Sequence, residues 1–268
     1  MILKTKAESI SIPYTYGDTI YIKPVSDVHL GSKQCDVKAL KAYLGEVRKD
    51  TYLVGLGDMM DMIIVSDTKR YRKSGDGIEN EDIIGESVKQ WVDILTPFKS
   101  QIIGLGIGNH EDNIIKRCSV NPIKMICEQL GVTYLGYSFL LRLQFREADG
   151  GGRTVIVRGH HGWGGGSRTQ GANLTKFSKD CQYFDADIFL YGHVHKLQYD
   201  TVPRLSLVGD TLTARDKHMI ICGTFLKTYS TTTDVTYSEA CGYPPAKIGG
   251  PIISIKPNKP WVDISVAV

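Results

Sequence analysis

Short apolar segments alternate with amphipathic segments over the first two thirds of the chain. The apolar segments are rich in Ile, Val, Leu and Tyr, as in buried strands, and the segments between them carry apolar residues at helical spacing. The predicted strands are 19–26, 51–56, 101–107, 132–147, 153–158 and 187–191, and the predicted helices are 36–48, 79–99, 122–130 and 171–184. Repeated alternation of this kind predicts an α/β fold.

Local signals mark the ends of two of these helices. Asp36 is a suitable N-cap, because its carboxylate can accept hydrogen bonds from the first free backbone N–H groups. Pro122 suits a first helical turn and Gly131 suits the residue that ends the same helix.

The pattern changes from about residue 197 onward. This part is rich in Thr, Val, Ile, Tyr, Gly and Pro and carries short strand signals, which indicates antiparallel β structure. No linker rich in Pro, Gly or Ser interrupts the chain, so residues 1–268 are predicted to form a single domain.

Five of the predicted strands are followed directly by side chains that can bind metal ions or transfer protons. Ligands of open α/β sheets bind beyond the carboxyl ends of the strands, so these side chains are expected to meet in one crevice. Six of the seven histidines fall in these segments, and His218, the exception, is expected to be structural. The residues are Asp27, His29, Asp58, Asp61, Asn109, His110, Glu111, His160, His161, His193 and His195.

The spacing of these residues is a further signal. Asp27 and His29 are two residues apart, as are His193 and His195, and in an extended segment both members of each pair would face the same side. Glycine precedes several of the segments, where it permits close approach and unusual backbone angles.

The donor types select among metal ions. Carboxylate, amide and imidazole groups without thiolates suit Mn, Fe, Zn or similar ions, rather than Ca or Mg alone. A carboxylate such as Asp58 can bridge two ions. Two ions about 3.5–4 Å apart can activate water and clamp the oxygens of an in-line displacement at phosphorus. The pattern therefore indicates a site for two divalent metal ions.

Five short motifs carry this chemistry, and in this order they resemble the motif set of the calcineurin-like metallophosphoesterases. The general phosphodiesterase/phosphatase branch is the nearest match. The resemblance covers residues 27–195 and implies a four-layer α/β/β/α sandwich with two mixed β-sheets. It also implies a dinuclear metal-dependent hydrolase that cleaves phosphodiesters or phosphomonoesters by attack of a metal-activated hydroxide. The motifs are Asp27-Val-His29, Gly57-Asp58-Met-Met-Asp61, Gly108-Asn109-His110-Glu111, His160-His161-Gly162 and Gly192-His193-Val-His195.

The resemblance also implies a role for each site residue. Asp58 would bridge the two metal ions, and His110 would act near the leaving oxygen as an acid or electrostatic stabiliser, oriented by Asp61. The ligands of one ion would be Asp27, His29 and His195, and those of the other ion would be Asn109, His161 and His193.

The chain departs from the family pattern in two places. The fourth motif offers two adjacent histidines, of which only one should point at the metal in an extended segment. His161 is preferred because the family often places Gly directly after this ligand, and His160 is then expected to contact substrate. Met62 stands where the protein Ser/Thr phosphatases of the superfamily carry Arg, which disfavours a phosphoprotein substrate.

Two polar segments lie beside the predicted site. The loop 162–173 can present backbone N–H groups and Arg168 to a phosphate, although a flexible turn is an equally good interpretation. Residues 66–78 are predicted to form a surface loop or lid. Its Arg70, Arg72 and Lys73 could contact an anionic substrate, but a solvated run of charges is favoured.

Composition narrows the alternatives. The net charge is +3, with 32 basic and 29 acidic residues. So small an excess does not indicate the strongly basic surface that is typical of nucleic-acid-binding proteins. The predicted partner is a phosphoester substrate, for which a nucleotide or nucleic acid is one form. A metal-dependent nuclease acting on DNA or RNA is the alternative function. A non-catalytic protein-binding scaffold of the same fold is disfavoured, because His110 and the ligand positions are all present.

The remaining features predict a cytoplasmic protein. The six cysteines are scattered without a CxxC pair, which is typical of reduced thiols. No stretch reaches the roughly 18 uninterrupted apolar residues of a membrane helix, and the N-terminal residues lack the apolar core of a signal peptide. The oligomeric state is not predicted.

Overall fold

The computed structural model describes residues 8–63, 82–148, 150–165, 169–229, 235–258 and 261–268. Within these ranges, strands form two six-stranded sheets. The strands are β1 (Glu8–Pro13), β2 (Ile20–Val25), β3 (Thr51–Leu56), β4 (Ile102–Gly106), β5 (Tyr134–Gly136), β6 (Ser138–Arg146), β7 (Gly152–His160), β8 (Ile188–Tyr191), β9 (Leu197–Val208), β10 (Thr211–Cys222), β11 (Ile252–Lys256) and β12 (Asp263–Ala267).

Both sheets are mixed. The first has the order β1-β6-β7-β8-β10-β9, in which β7, β8 and β10 are parallel, while β6–β7 and β9–β10 are antiparallel pairs. The second has the order β12-β11-β2-β3-β4-β5, in which β2 to β5 are parallel and β11 is antiparallel to both neighbours. The predicted α/β fold with two mixed sheets is confirmed, and the hairpins β9–β10 and β11–β12 supply the antiparallel structure of the last third.

The helices of the described residues are short, and none of them is long and apolar enough to cross a membrane. A 3₁₀ helix, Thr96–Gln101, follows the second one directly. The α-helices are α1 (Val37–Gly45), α2 (Ile83–Leu95), α3 (Asn109–Cys118), α4 (Pro122–Leu130), α5 (Ala172–Ser178), α6 (Asp180–Tyr183) and α7 (Tyr237–Ala240).

The predicted helix ends agree with the structure. The Asp36 carboxylate accepts a hydrogen bond from the Ala39 N–H at 3.0 Å and caps α1. Pro122 opens α4, and Gly131 ends it in the left-handed conformation, with φ 69°. These signals act within one turn of the chain, so the sequence predicts them well.

Helix α3 was not predicted, because the sequence of residues 108–111 resembles a turn at the end of a strand. Most of α3 is polar, so apolar periodicity does not reveal it. A hydrogen bond at its N-terminus and packing against the core stabilise it instead. Glu111 accepts a hydrogen bond from the Gly108 N–H at 2.8 Å, and Ile114 is fully buried in the core.

Apolar side chains of both sheets pack against each other and form the central core. Strand alternation turns every second residue inward, so each sheet contributes one apolar face to this layer. The core includes Ile22, Val54, Leu143, Ile188, Ile220 and Ile253.

Helices cover the outer face of each sheet. Trp91 of α2 is fully buried against the second sheet, and its indole N–H donates to the Met59 carbonyl at 3.2 Å, which ties α2 to the turn after β3. Phe177 of α5 packs against Phe189 and Tyr191 of β8 on the first sheet. The packed sheets thereby bring the carboxyl ends of β2, β3, β4, β7 and β8 to one edge of the molecule.

Candidate metal centre

The side chains that follow these five strand ends converge. They form three overlapping groups, in each of which the donor atoms lie within 4.8 Å of one another. Asp58 is shared by two of the groups, and His29 is shared by another two. The groups are Asp27–His29–His195, His29–Asp58–His110 and Asp58–His161–His193.

Two sets of side chains, the first and the second donor group, lie on either side of Asp58. The first donor group consists of Asp27, His29 and His195. His195 Nε2 lies 3.2 Å from Asp27 Oδ1 and 3.2 Å from His29 Nε2. Burial opposes the charge on Asp27, but its contact with His195 lowers the Asp27 pKa and raises the pKa of His195. Burial and the neighbouring His110 lower the pKa of His29, so this residue presents a neutral imidazole.

The second donor group consists of Asn109, His161 and His193. Asn109 Oδ1 lies 3.0 Å from His161 Nε2 and 2.7 Å from His193 Nδ1. Burial and His161 lower the pKa of His193. Burial also disfavours the charge on His161, but the carboxylate of Asp58 outweighs it and raises the His161 pKa to about 9.

Asp58 lies between the two donor groups. Its Oδ2 atom is 3.3 Å from His161 Nε2 and 3.9 Å from His29 Nε2. Its Oδ1 atom accepts a hydrogen bond from the His110 N–H at 2.9 Å, which fixes the carboxylate plane. Although burial opposes ionisation, His161 and His110 hold the pKa of Asp58 well below its ordinary value. A charged carboxylate oxygen is therefore available to both groups.

The second ring nitrogen of each of two histidines is hydrogen-bonded away from the centre. His161 Nδ1 donates to the Leu56 carbonyl at 2.9 Å, and His29 Nδ1 donates to Asp61 Oδ1 at 3.2 Å. These bonds orient the rings and leave Nε2 directed at the donor groups. The backbone of Gly164 also forms a hydrogen bond with His193.

Five of these residues adopt left-handed backbone angles, which are uncommon outside glycine. The expectation that Asp27 and His29 face one side of an extended segment is therefore wrong, because the chain turns sharply at each of them. Likewise, His193 and His195 do not share a face but contribute to different donor groups. The φ angles are 50° for Asp27, 51° for His29, 47° for Asp58, 71° for His193 and 53° for His195.

The turns after β3 and β4 approach each other closely. Gly57 has φ 96°, and a Cβ atom at this position would collide with the backbone of Gly108. A Cβ on Gly108 would in turn collide with the Asp58 carboxylate. Only glycine at both positions lets these two turns bring Asp58 and Asn109 together.

Glu111 organises the same two turns, a role that the sequence analysis missed. It is fully buried, and its carboxylate accepts hydrogen bonds from four backbone N–H groups at 2.8 to 3.1 Å. The donors belong to Gly108, Asp58, Met59 and Met60. Its place in the Gly108–Glu111 motif was the available signal, but a motif alone does not say which backbone groups a carboxylate will reach.

His110 lies beside the first donor group, with its ring 4.5 Å from that of His29. Its Nδ1 donates to the backbone carbonyl of Asp61 at 2.6 Å, while the Asp61 carboxylate is 3.6 Å away. That carboxylate is nearer to His29, at 3.2 Å. Asp61 thus contacts both histidines, one through its carbonyl and the other through its side chain.

His160, the other of the adjacent histidines, points away from the donor groups. Its Nδ1 accepts a hydrogen bond from the Gly162 N–H at 2.8 Å, and its ring packs at 4.9 Å against Trp163. Burial and the neighbouring Arg158 lower the pKa of His160 to about 4, so it is neutral. Of the two histidines, His161 is the one that reaches the donor groups.

The charged residues of the two polar segments predicted to contact substrate lie outside the described residues. Arg168 falls in the gap at 166–168, and Arg70, Arg72 and Lys73 fall in the gap at 64–81.

The donor set fits divalent cations. Two imidazole nitrogens that face each other at 3.2 Å, as in His29 and His195, can be held together by a shared proton or by a shared cation. The carboxylates of Asp27 and Asp58 offset the positive charge of such ions. Imidazole, carboxylate and amide donors in a buried centre are the combination that Mn, Fe and Zn accept.

Comparisons with known proteins agree with this chemistry. The model of the calcineurin-like phosphoesterase family matches residues 22–197. A search of curated proteins finds no match.

Three solved structures that resemble the chain have low identity and low TM-scores. One is a Thermotoga maritima protein solved by NMR, with 12% identity, TM-score 0.37, and coverage of 93% of this chain and 99% of that one. Another, a predicted phosphoesterase from Streptococcus pneumoniae, has 14% identity, TM-score 0.30, and coverage of 93% and 99%. The third, a metallophosphoesterase from Sphaerobacter thermophilus, has 14% identity, TM-score 0.37, and coverage of 93% and 89%.

The identification depends on the family match. The matched region spans more than half of the chain and contains all five motifs, from Asp27 to His195. The resemblance found in the sequence is thereby confirmed, and the chain belongs to the calcineurin-like phosphoesterase family.

Proposed function

We propose that this chain hydrolyses phosphoesters, either diesters or monoesters, with two divalent ions such as Mn, Fe or Zn. The observation that carries the proposal is the position of Asp58 Oδ2 between two separate donor groups, 3.3 Å from His161 and 3.9 Å from His29. One ion would be held by Asp27, His29 and His195, the other by Asn109, His161 and His193, and Asp58 would serve both.

The bound ions would supply Lewis acidity at the phosphoryl oxygens and the acidity that makes water a nucleophile at neutral pH. The chain holds the donors rigidly before any ion binds. Asp27 accepts hydrogen bonds from the Ser26 hydroxyl at 2.5 Å and the His193 N–H at 3.0 Å. Such bonds support ionised, fixed carboxylates, which is the preorganisation that catalysis of this kind requires.

His110 is proposed as the acid that protonates the leaving oxygen. Its Nδ1 donates to the Asp61 carbonyl at 2.6 Å, so in the imidazolium form Nε2 carries the proton that can be transferred. The carboxylate of Asp61 lies 3.6 Å from Nδ1, where it would help to orient the ring. An alkoxide is a poor leaving group, and a positioned acid speeds its departure by about 10²–10⁴.

The test is the His110→Ala variant, assayed with Mn on esters with poor and good leaving groups. Turnover of an alkyl ester should fall by about 10²–10⁴, whereas turnover of a p-nitrophenyl ester should fall much less, because p-nitrophenolate needs little protonation. Metal content, measured by elemental analysis, should stay at the wild-type value. Asn113→Ala is the control, since Asn113 lies on the same helix and contacts Arg117 at the surface.

Two outcomes would contradict parts of the proposal. Loss of metal in His110→Ala would mean that His110 is a ligand rather than the acid. A wild-type protein that binds Mn but turns over none of the esters would favour the alternative of a protein-binding scaffold with the same fold.

A further inference from the structure

An open aromatic surface lies directly beside the candidate metal centre. Trp163 follows His161 by two residues, and 37% of its surface is exposed. Its ring contacts His160 at 4.9 Å, and the ring of Tyr137 contacts both His160 and His161 at 5.4 Å. The rings of His160 and Tyr137 thus connect the indole to His161 of the second donor group.

The indole is held in place from below. It meets Phe177 edge to face at 4.9 Å and Tyr191 at 5.8 Å, and those two rings stack on each other at 4.4 Å. Lys176 Nζ donates to the backbone carbonyls of Trp163 at 3.4 Å and Gly165 at 2.7 Å. An exposed ring whose position is fixed by its neighbours loses little entropy when a ligand stacks on it.

Planar aromatic groups are the ligands that such a surface favours. Bases and aryl rings stack on exposed tryptophan irrespective of sequence, because each has a π-face. Because Trp163 is only two residues from His161 along the chain, a group stacked on Trp163 is close enough for its phosphate to reach the centre.

We infer that Trp163 forms a subsite that stacks a planar aromatic group of the phosphoester, such as a nucleobase or an aryl ring, and thereby selects substrates. This inference rests on the proposed function. It goes beyond that function by naming the part of the substrate that the chain recognises outside the scissile bond.

The experiment compares three diesters of p-nitrophenol that share a leaving group and differ in the second ester: methyl, phenyl and thymidine-5′. In Trp163→Leu, the KM for the phenyl and thymidyl esters should rise about tenfold, whereas the KM for the methyl ester should stay within about twofold. Trp163→Phe keeps an aromatic face and should restore most of the affinity. Trp261→Leu is the matched control, because Trp261 is 36% exposed but packs against Arg215 instead.

The outcomes separate the inference from the proposed function. A rise in KM limited to the thymidyl ester identifies a nucleobase subsite, and a rise in KM for both aromatic esters identifies an aryl subsite. An equal change in KM for all three esters, or no change in KM, overturns the inference but does not contradict the proposed hydrolase activity. If the wild type hydrolyses neither these diesters nor p-nitrophenyl phosphate with Mn, the proposed function fails. Quenching of indole fluorescence by thymidine monophosphate in wild type, absent in Trp163→Phe, then still decides whether Trp163 stacks a base.

Discussion

The adjacent residues His160 and His161 make different contacts and therefore have different roles. The two follow each other at the end of β7, yet only His161 reaches the donor groups, with Nε2 3.0 Å from Asn109 Oδ1. The backbone carbonyl of Leu56, on the other sheet, holds the opposite nitrogen of the same ring at 2.9 Å. His160 turns to Gly162 and Trp163 instead.

The first prediction separates these two histidines. His161→Ala should remove one ligand and lower both metal occupancy and activity, because Ala offers no donor atom in place of Nε2. His160→Ala should retain the metal and alter KM, since its ring supports Trp163. Elemental analysis of both variants after loading with Mn provides the measurement. Metal loss in His160→Ala alone would reverse the assignment.

At the scale of elements, the centre depends on the turns after β3 and β4 being held together. Glu111, in the first turn of α3, makes this link: Oε1 accepts from Met59 and Met60, and Oε2 accepts from Asp58 and Gly108. A buried carboxylate with four N–H donors satisfies groups that would otherwise be left without partners.

The second prediction concerns Glu111→Gln. The amide nitrogen of Gln would face two N–H donors, so at least two hydrogen bonds to a charged acceptor are lost. The free energy of unfolding should fall by about 2–4 kcal/mol, measured by urea denaturation. Affinity for Mn should also fall, because the turn that carries Asp58 loosens.

The matched control is Glu128→Gln on α4, whose side chain is 66% exposed. It removes the same charge without touching the two turns, so it should leave stability and Mn affinity near wild type. Unchanged Mn affinity in Glu111→Gln, with the protein folded, would show that the link between the turns does not govern the centre.

At the scale of the whole molecule, metal binding should stabilise the fold. The donor groups collect residues from Asp27 to His195 and exist only when both sheets are packed, so the ions bind the native state alone. At a hundredfold excess over Kd, this linkage contributes about 2.7 kcal/mol, or a rise of about 5–10 °C in Tm. Calorimetry with Mn and with EDTA measures it. Asp58→Ala should lose most of the rise, whereas Asp112→Ala, at the surface, should keep it.

The same stabilisation should depend on pH. In the metal-free protein the pKa of His161 is raised to about 9, above its ordinary value of 6.5. Its contribution to stability is therefore complete below pH 6.5 and is lost as pH rises through 9. Metal must displace this proton, so the difference in Tm between loaded and metal-free protein should widen from pH 6.5 to 9. A constant difference over this range would contradict the assignment of His161.

The amino-acid sequence was enough to identify the types of donor and the strands that carry them. Apolar runs that end in Asp, His or Asn specify buried strands with polar ends, and this pattern needs no knowledge of distant contacts. The two mixed sheets were implied by the family resemblance, with which the α/β start and the β-rich end of the chain agree. The cap of α1 at Asp36 was equally predictable, because it acts over three residues.

How the donors are divided and held depends on the packing of the whole fold. His193 and His195 separate into different groups because the chain turns at left-handed angles, which no apolar pattern encodes. Glu111 and the ring orientation of His161 depend on backbone groups 51 to 105 residues away. Such contacts form when two sheets pack face to face, so they are properties of the packing rather than of any local segment.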